Sequence, residues 1–372
     1  MFALERTSIS SLSGSIHSNM STTVTPRTSR KTSGAGDAFA HRIEPSVDGN
    51  LKLAHVIECS GDVMCCRYNE DSKLLAVGLA NGVIKVYSAD NGALLYNISD
   101  QETLDTSLPC TSIHFRPHQD ADKSKNIILA TYASGLVKYW HTATGKCLST
   151  IHEPRQTLNA AFNNRINTFI TSGSDDSIYV YDETTKKLLQ TCEPSPSLNV
   201  MDGHRSRVFA VQFHPKELHE FISGGWDDTV QYWDTRVQHS IRKLYGPHIC
   251  GDSLDIDADH NHILTGSWRK TDNLQIWDYS SGGFIKSVPQ DFTSSLLYCA
   301  QWLGKDYMAV GGCEQNIARV IDRGTLQTTG RIVDLPGGVY CIANDHRGIH
   351  PRIAVGSGTN IYVLDKKPIP VT

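Results

Sequence analysis

The ten cysteines of this 372-residue chain include no Cys-x-x-Cys pair, which removes zinc ribbons and thioredoxin-like sites from consideration. No apolar run is long enough to cross a bilayer. The first residues, MFALERTSIS, lack the apolar stretch of a secretory signal. An intracellular protein with reduced thiols is therefore expected, in the cytoplasm, the nucleus or both, with no membrane partner. Strong charge of one sign is also missing. The chain has 35 Lys and Arg against 39 Asp and Glu, a net charge of -4, unlike the basic footprint of a dedicated nucleic-acid binder. A nucleic-acid partner is not expected.

Reactive motifs are absent too. There is no Walker loop, no Gly-x-Ser-x-Gly elbow and no His-Glu-x-x-His, so no catalytic residue and no cofactor are assigned. The run Asp255, Asp257, Asp259 has calcium-loop spacing. It has His260 where that loop needs Gly and Gly266 where it needs Glu, and it reads as a solvated turn. His248, Cys250, His260 and His262 fit no common zinc spacing, and no metal site is assigned.

Two regions differ sharply. Residues 1–50 are rich in Ser and Thr and include the basic run Arg27 to Ser33. Such a segment buries too little apolar surface to offset its ordering entropy, and a disordered tail is expected there. From residue 51 short β-rich runs alternate with turns of Gly, Asn, Asp and Ser. A strand ending in an aromatic or aliphatic residue recurs, with anchors at Tyr87, Trp140, Tyr181, Trp233, Trp277, Ile321 and Leu364. Their spacings are 53, 41, 52, 44, 44 and 43 residues. A period near 40–45 indicates four-stranded propeller blades. The two long spacings hold the inserts His118 to Lys123 and Glu193 to Ser197.

The residues from about 51 to 365 resemble the WD40-repeat family. The fourth repeat carries the resemblance best, with Gly203-His204 and FISGGWDDTVQYWD ending at Asp234. The resemblance implies an all-β, seven-bladed propeller over residues 51–366, followed by a short tail at 367–372. It implies a structural tetrad of His204, Ser223, Asp227 and Trp233, in which a buried indole and imidazole find hydrogen-bond partners. Other blades depart from the pattern: Asn81, Ser134, Gln315 and Gly358 stand where the family often has the turn Asp. The last repeat supplies only three strands, and the spare strand at 51–59 is expected to complete it, removing an exposed edge.

Family members bind partners on the face that bears the loops between blades. Two kinds of position project there: the residue before the tetrad Asp, and a bulged residue near the start of each innermost strand. In this chain these are Trp226 and Trp268, then Met64, Thr111, Phe209, Asp252, Tyr298 and Tyr340, with Arg207 and Arg269 beside them. A rim of Trp, Tyr, Phe, Met and Arg has hot-spot composition; the alternative for the Tyr and Phe side chains is packing between blades. A non-catalytic scaffold that holds a protein or peptide is the leading expectation. The stretch Trp233-Asp234-Thr235-Arg236 also resembles the motif by which some propellers dock onto a cullin-RING ubiquitin-ligase adaptor. There Arg236 would be the critical, bidentate element.

Overall fold

A computed structural model describes residues 44–117, 126–197, 199–292, 294–347 and 351–367. Within them the chain forms seven antiparallel sheets, each made of strands consecutive in sequence except at the closure. The seven innermost strands begin at Val63, Cys110, Thr157, Val208, Leu254, Leu296 and Val339, and define blades 1 to 7 of a β-propeller. One short helix, Gln101–Thr106, follows blade 1, capped by the Asp100 side chain. The insert at His118 to Lys123 and the segments 1–43 and 368–372 lie outside the described residues.

Burial falls from the axis outward. All six residues of the inner strand Thr157–Phe162 are buried, whereas the outermost strand of the same blade, Leu188–Cys192, opens with two exposed leucines. An inner strand is sandwiched by two neighbouring blades and reads as a near-continuous apolar run. Outer strands face water on one side and alternate. The cores lie between blades. Cys65, Ile84 and Val86 of blade 1 pack with Ile113, Ile128 and Trp140 of blade 2. Close approach there depends on Gly78, where a Cβ would lie 2.6 Å from the Cys65 sulfur and 2.8 Å from that of Cys110.

The ring is closed by Leu51–Glu58, which pairs antiparallel with Asn360–Lys366 from Leu51 opposite Lys366 to Glu58 opposite Asn360. One feature departs from the expected tail at 1–50. Ser46–Gly49 form a strand, added as a fifth to blade 6 along Thr328–Val333. Val47 packs against the core there, and Asp48 pairs with Arg331 at 2.9 Å. These contacts hold a segment whose composition alone read as unstructured.

Innermost strands carry a register shift near their start. The shifts bracket Met64, Thr111, Leu158, Phe209, Tyr298 and Tyr340. A bulge leaves one residue unpaired and re-aims its side chain. Blade 5 differs: its inner strand, Leu254–Asp257, has only four residues, and the segment before it leaves the ladder.

Candidate interaction surface

Blade 4 shows how the scaffold presents its turns. His204 bridges the Ser223 hydroxyl through Nε2 at 2.7 Å and the Asp227 carboxylate through Nδ1 at 2.9 Å. The Trp233 indole N–H donates to Ser223 Oγ at 2.7 Å. Burial pushes the Asp227 carboxyl upward, but its hydrogen bonds to His204, the Arg205 N–H and Thr229 hold it below the usual carboxylate range. The Ser–His–Asp connectivity imitates a hydrolase triad. Yet Ser223 and His204 are 0% exposed and the serine hydroxyl is engaged by the indole, so no substrate carbonyl reaches it. The chain of bonds instead ties the start of the inner strand to the turn at Trp226-Asp227-Asp228. There Asp228 sits in the left-handed region at φ 61°, a conformation that Asp tolerates better than most residues.

That turn and its counterpart in blade 5 carry the tryptophans at the end of the ring where inner strands begin. Trp226 is half-buried. Arg207 lies over its ring at 5.2 Å, Phe209 packs beneath at 5.3 Å between centroids, and His248 stacks at 6.4 Å with an interplanar angle of 11°. The Trp226 indole N–H donates to the Cys250 sulfur at 2.9 Å. Asp228 joins the two turns, accepting from His248 Nδ1 at 2.6 Å and pairing with Arg269 at 2.7 Å. Trp268, 38% exposed, lies 6.5 Å from Tyr298, and Tyr298 lies 5.1 Å from Tyr340. Planar groups thus run from Arg207 across blades 4 to 7. Cation–π and aromatic contacts of this kind hold side chains in place at small entropic cost to a later partner.

Not every expected rim residue is at the rim. Phe209 and Tyr298 are buried, a correction to their reading as exposed contacts. Each bulged side chain turns sideways under the tryptophan of the adjacent turn, because burying an aromatic ring there outweighs leaving it in water. Burial also pushes the Tyr298 and Tyr340 hydroxyls upward. Asp252 is partly exposed. Its carboxylate points into the channel and meets Arg67 of blade 1 at 3.2 Å and Asn159 of blade 3 at 3.4 Å. Met64 and Tyr340 are half-buried, and Arg207 and Arg269 are partly exposed. Arg236 is at the opposite end, in the turn after Thr229–Asp234, largely exposed and closed onto Asp234 by bonds of 2.8 and 2.6 Å. The residues with calcium-loop spacing do not converge: Asp257 pairs with Arg323 at 2.5 Å and Asp255 is buried against the Trp302 and Ile256 N–H groups. His248 and Cys250 are committed to Asp228 and Trp226, while His260 and His262 lie together at the far end.

Three features escape a reading of the sequence. Blade 3 replaces the tetrad with a buried network: Glu153 accepts from Arg155, Thr157, Tyr181 and Thr171, and Arg155 also donates to Asp175 at 2.6 Å. In blade 2 the buried Lys138 ammonium meets Asp100 and Glu102, each at 2.6 Å. Phe292, 89% exposed, stands in the loop before blade 6. Gln290 and Ser294 of that loop donate to the Lys270 carbonyl in the Trp268 turn. The carboxylates at 153 and 175 flank an arginine at 155, which is a signal for the first of these; the other two have none.

Comparison with known proteins agrees with this geometry. The family model described as WD domain, G-beta repeat matches residues 51–88 and 195–234, the closing strand with most of blade 1, and the tetrad of blade 4. A WD repeat-containing protein 89 homolog from Dictyostelium discoideum is 23% identical, over 66% of this chain and 63% of its own length. Pre-mRNA-processing factor 19 of Mus musculus is 24% identical, over 37% of this chain and 25% of its own. Small ribosomal subunit protein RACK1 of Drosophila melanogaster is 32% identical, over 22% of this chain and 26% of its own. The chain thus spans less than two thirds of the length of each of these relatives.

Proposed function

This chain is a WD40-repeat β-propeller, and from that premise we propose that it is a non-catalytic platform that holds a protein or peptide segment over blades 4 to 7. The observation that carries this reading is Trp268, left partly exposed on an ordered turn beside Trp226. Folding gains nothing from an indole in water, and rigid aromatic anchors ringed by polar groups are what binding hot spots are made of. Arg207, Arg269 and Tyr340 flank the two tryptophans and supply polar contacts that orient a guest. Phe209, Tyr298 and Asp252 support the anchors from below. The relatives whose names place them in pre-mRNA processing and in the ribosome favour a large intracellular assembly as the setting. The ten cysteines, none of them joined in a disulfide, favour a reducing compartment, cytoplasmic or nuclear.

The test is affinity capture with mass spectrometry on wild type, Trp226→Ala, Trp268→Ala and the double variant. The double variant is expected to lose the captured partner while keeping a cooperative thermal transition. Undiminished capture by a folded double variant rejects the surface as the binding site.

A second reading is that the protein is a substrate receptor of a cullin-RING ubiquitin ligase. It is favoured by the position of Arg236, whose exposed end of the ring would leave the aromatic face free for substrate. The guanidinium is already held by Asp234, so an adaptor must accept the pair as it stands or break it. Pull-down of the adaptor with wild type and Arg236→Ala decides: loss of adaptor with the variant supports the reading, and equal recovery or none from either sinks it.

A further inference from the structure

The segment Ile249 to Ser253, which leads into blade 5, is held by contacts to several blades at the mouth of the channel. The Ile249 N–H donates to the Gly225 carbonyl of blade 4 at 3.1 Å. The Cys250 sulfur accepts the Trp226 indole N–H. Gly251 lies so close to blade 6 that a Cβ would come within 2.3 Å of the Tyr298 carbonyl oxygen. The Asp252 carbonyl accepts from the Ala300 N–H at 3.2 Å, and its carboxylate takes Arg67 and Asn159. Ser253 donates to the Gly266 carbonyl at 2.6 Å. Five consecutive residues therefore touch blades 1, 3, 4, 5 and 6.

Arg67 is the distant member of this set. It stands on the inner strand Val63–Tyr68 of blade 1, two blades removed from blade 6 and three from blade 5. Blades 1, 3 and 5 are not neighbours in the ring, so Arg67, Asn159 and Asp252 meet only through the channel. Arg67 Nη2 reaches Asp252, while its Nε has no hydrogen-bond partner among the described residues. The guanidinium is thus aimed across the channel at Asp252. Two residues upstream of Asp252 is the sulfur that holds Trp226, and one upstream is the glycine that abuts Tyr298.

We propose that Arg67 is a positioning residue for the aromatic surface, acting across the channel through Asp252 and the 249–253 segment on Trp226 and Tyr298. Arg67 itself touches neither ring. Its attraction for Asp252 holds the segment at one depth in the channel, and that depth fixes where the Cys250 sulfur and the Gly251 backbone present themselves. Removing the cation frees the segment to rise, and the indole loses its acceptor. The consequence for a guest rests on the reading of this face as the binding surface; the coupling itself does not.

The test reads the Trp226 indole directly. In the full-length protein its N–H resonance is assigned by Trp226→Phe, and the Trp233 resonance serves as an internal reference buried in the tetrad. Arg67→Met and Asp252→Asn are each expected to shift the Trp226 signal and to raise its hydrogen-exchange rate about fivefold, as befits loss of one partly solvated ion pair. Arg67→Lys, which keeps the charge, is expected to restore most of the wild-type position. The Trp233 signal stays in place in all three. An unmoved Trp226 signal in a folded Arg67→Met or Asp252→Asn protein overturns the proposal, as does equal disturbance of Trp226 and Trp233, which would mark a general loosening. Partner capture is run in parallel: a moved indole with unchanged capture supports the coupling and counts against the binding surface instead.

Discussion

Arg155 donates its Nε to the Glu153 carboxylate at 2.8 Å, with both side chains buried in blade 3. The same carboxylate takes the Tyr181 hydroxyl at 3.0 Å, so a carboxylate and a phenol stand where blade 4 has an imidazole and an indole. Burial lowers and Glu153 and Asp175 raise the proton affinity of the guanidinium, with a net upward result. Removing one partner leaves the other charge buried and unpaired. Glu153→Ala or Arg155→Ala should each destabilise the ring by about 3–5 kcal/mol, seen as a lower urea midpoint. A change under about 1 kcal/mol in either variant would contradict a desolvated, mutually dependent pair.

Trp233→Phe separates packing from hydrogen bonding in the tetrad. The ring still stacks on Phe221, which lies 6.1 Å from Trp233 at an interplanar angle of 10°, but the N–H to Ser223 is gone. A cost of about 1–3 kcal/mol is expected. Ser223→Ala should cost at least as much, because it strands both the indole N–H and His204. Thermal unfolding of the two single variants and their double decides. Fully additive losses would show that the bonds do not act as one network.

The two surface tryptophans should differ in what they contribute to folding. Trp268→Ala is expected to change stability by less than about 1 kcal/mol, in keeping with its exposure. Trp226→Ala should cost roughly 1–3 kcal/mol, since it also removes the hydrogen bond to the Cys250 sulfur and uncovers Phe209. Differential scanning fluorimetry gives the order. A reversed order would assign Trp268 to the core.

Asp255 makes stability depend on pH. Burial pushes its carboxyl up to about 7, against the pull of the Trp302 and Ile256 N–H groups. The native state then keeps a proton that the unfolded chain, with an Asp near 3.9, releases. The sign follows: the contribution is fully favourable below about pH 4 and is lost as pH rises through about 7, to a limit of about 4 kcal/mol. Asp255→Asn should flatten the decline in urea midpoint between pH 5 and pH 8. Parallel curves for wild type and variant would show that Asp255 is ionised throughout.

Truncation distinguishes the two strands before blade 1. A chain beginning at residue 51 loses the fifth strand of blade 6 and should keep a cooperative transition at lower temperature. One beginning at residue 60 leaves the Asn360–Lys366 edge unpaired, and an open edge recruits other chains. Aggregation or loss of the cooperative transition is expected, measured by light scattering during a thermal scan. A monomeric, cooperatively melting product would mean that blade 7 stands on three strands.

Much of the architecture was legible because it is periodic. Anchors such as Trp140 and Trp233 recur at blade spacing, and the residues read as bulged at Met64, Thr111, Phe209, Tyr298 and Tyr340 coincide with register shifts in the ladders. Blade 3 hid its own shift at Leu158, because its network uses Glu153, Thr171 and Tyr181 where blade 4 has His204, Ser223 and Trp233. Phe209 and Tyr298 misled for a related reason. A bulge aims a side chain away from its own sheet, but whether it meets water or another ring is decided by the neighbouring blade.

The order of residues by itself determined the blade count, the anchors, the turn chemistry and the tetrad of blade 4, all of which depend on spacing within a few dozen residues. Tertiary structure alone decided what spans the ring. The meeting of Arg67 with Asp252, the Cys250 sulfur beneath Trp226, and the strand at Ser46–Gly49 each join positions whose separation along the chain carries no period. Local preference acts over a turn or a hairpin. Contacts through the channel and at the outer edge exist only after seven blades have closed around a common axis.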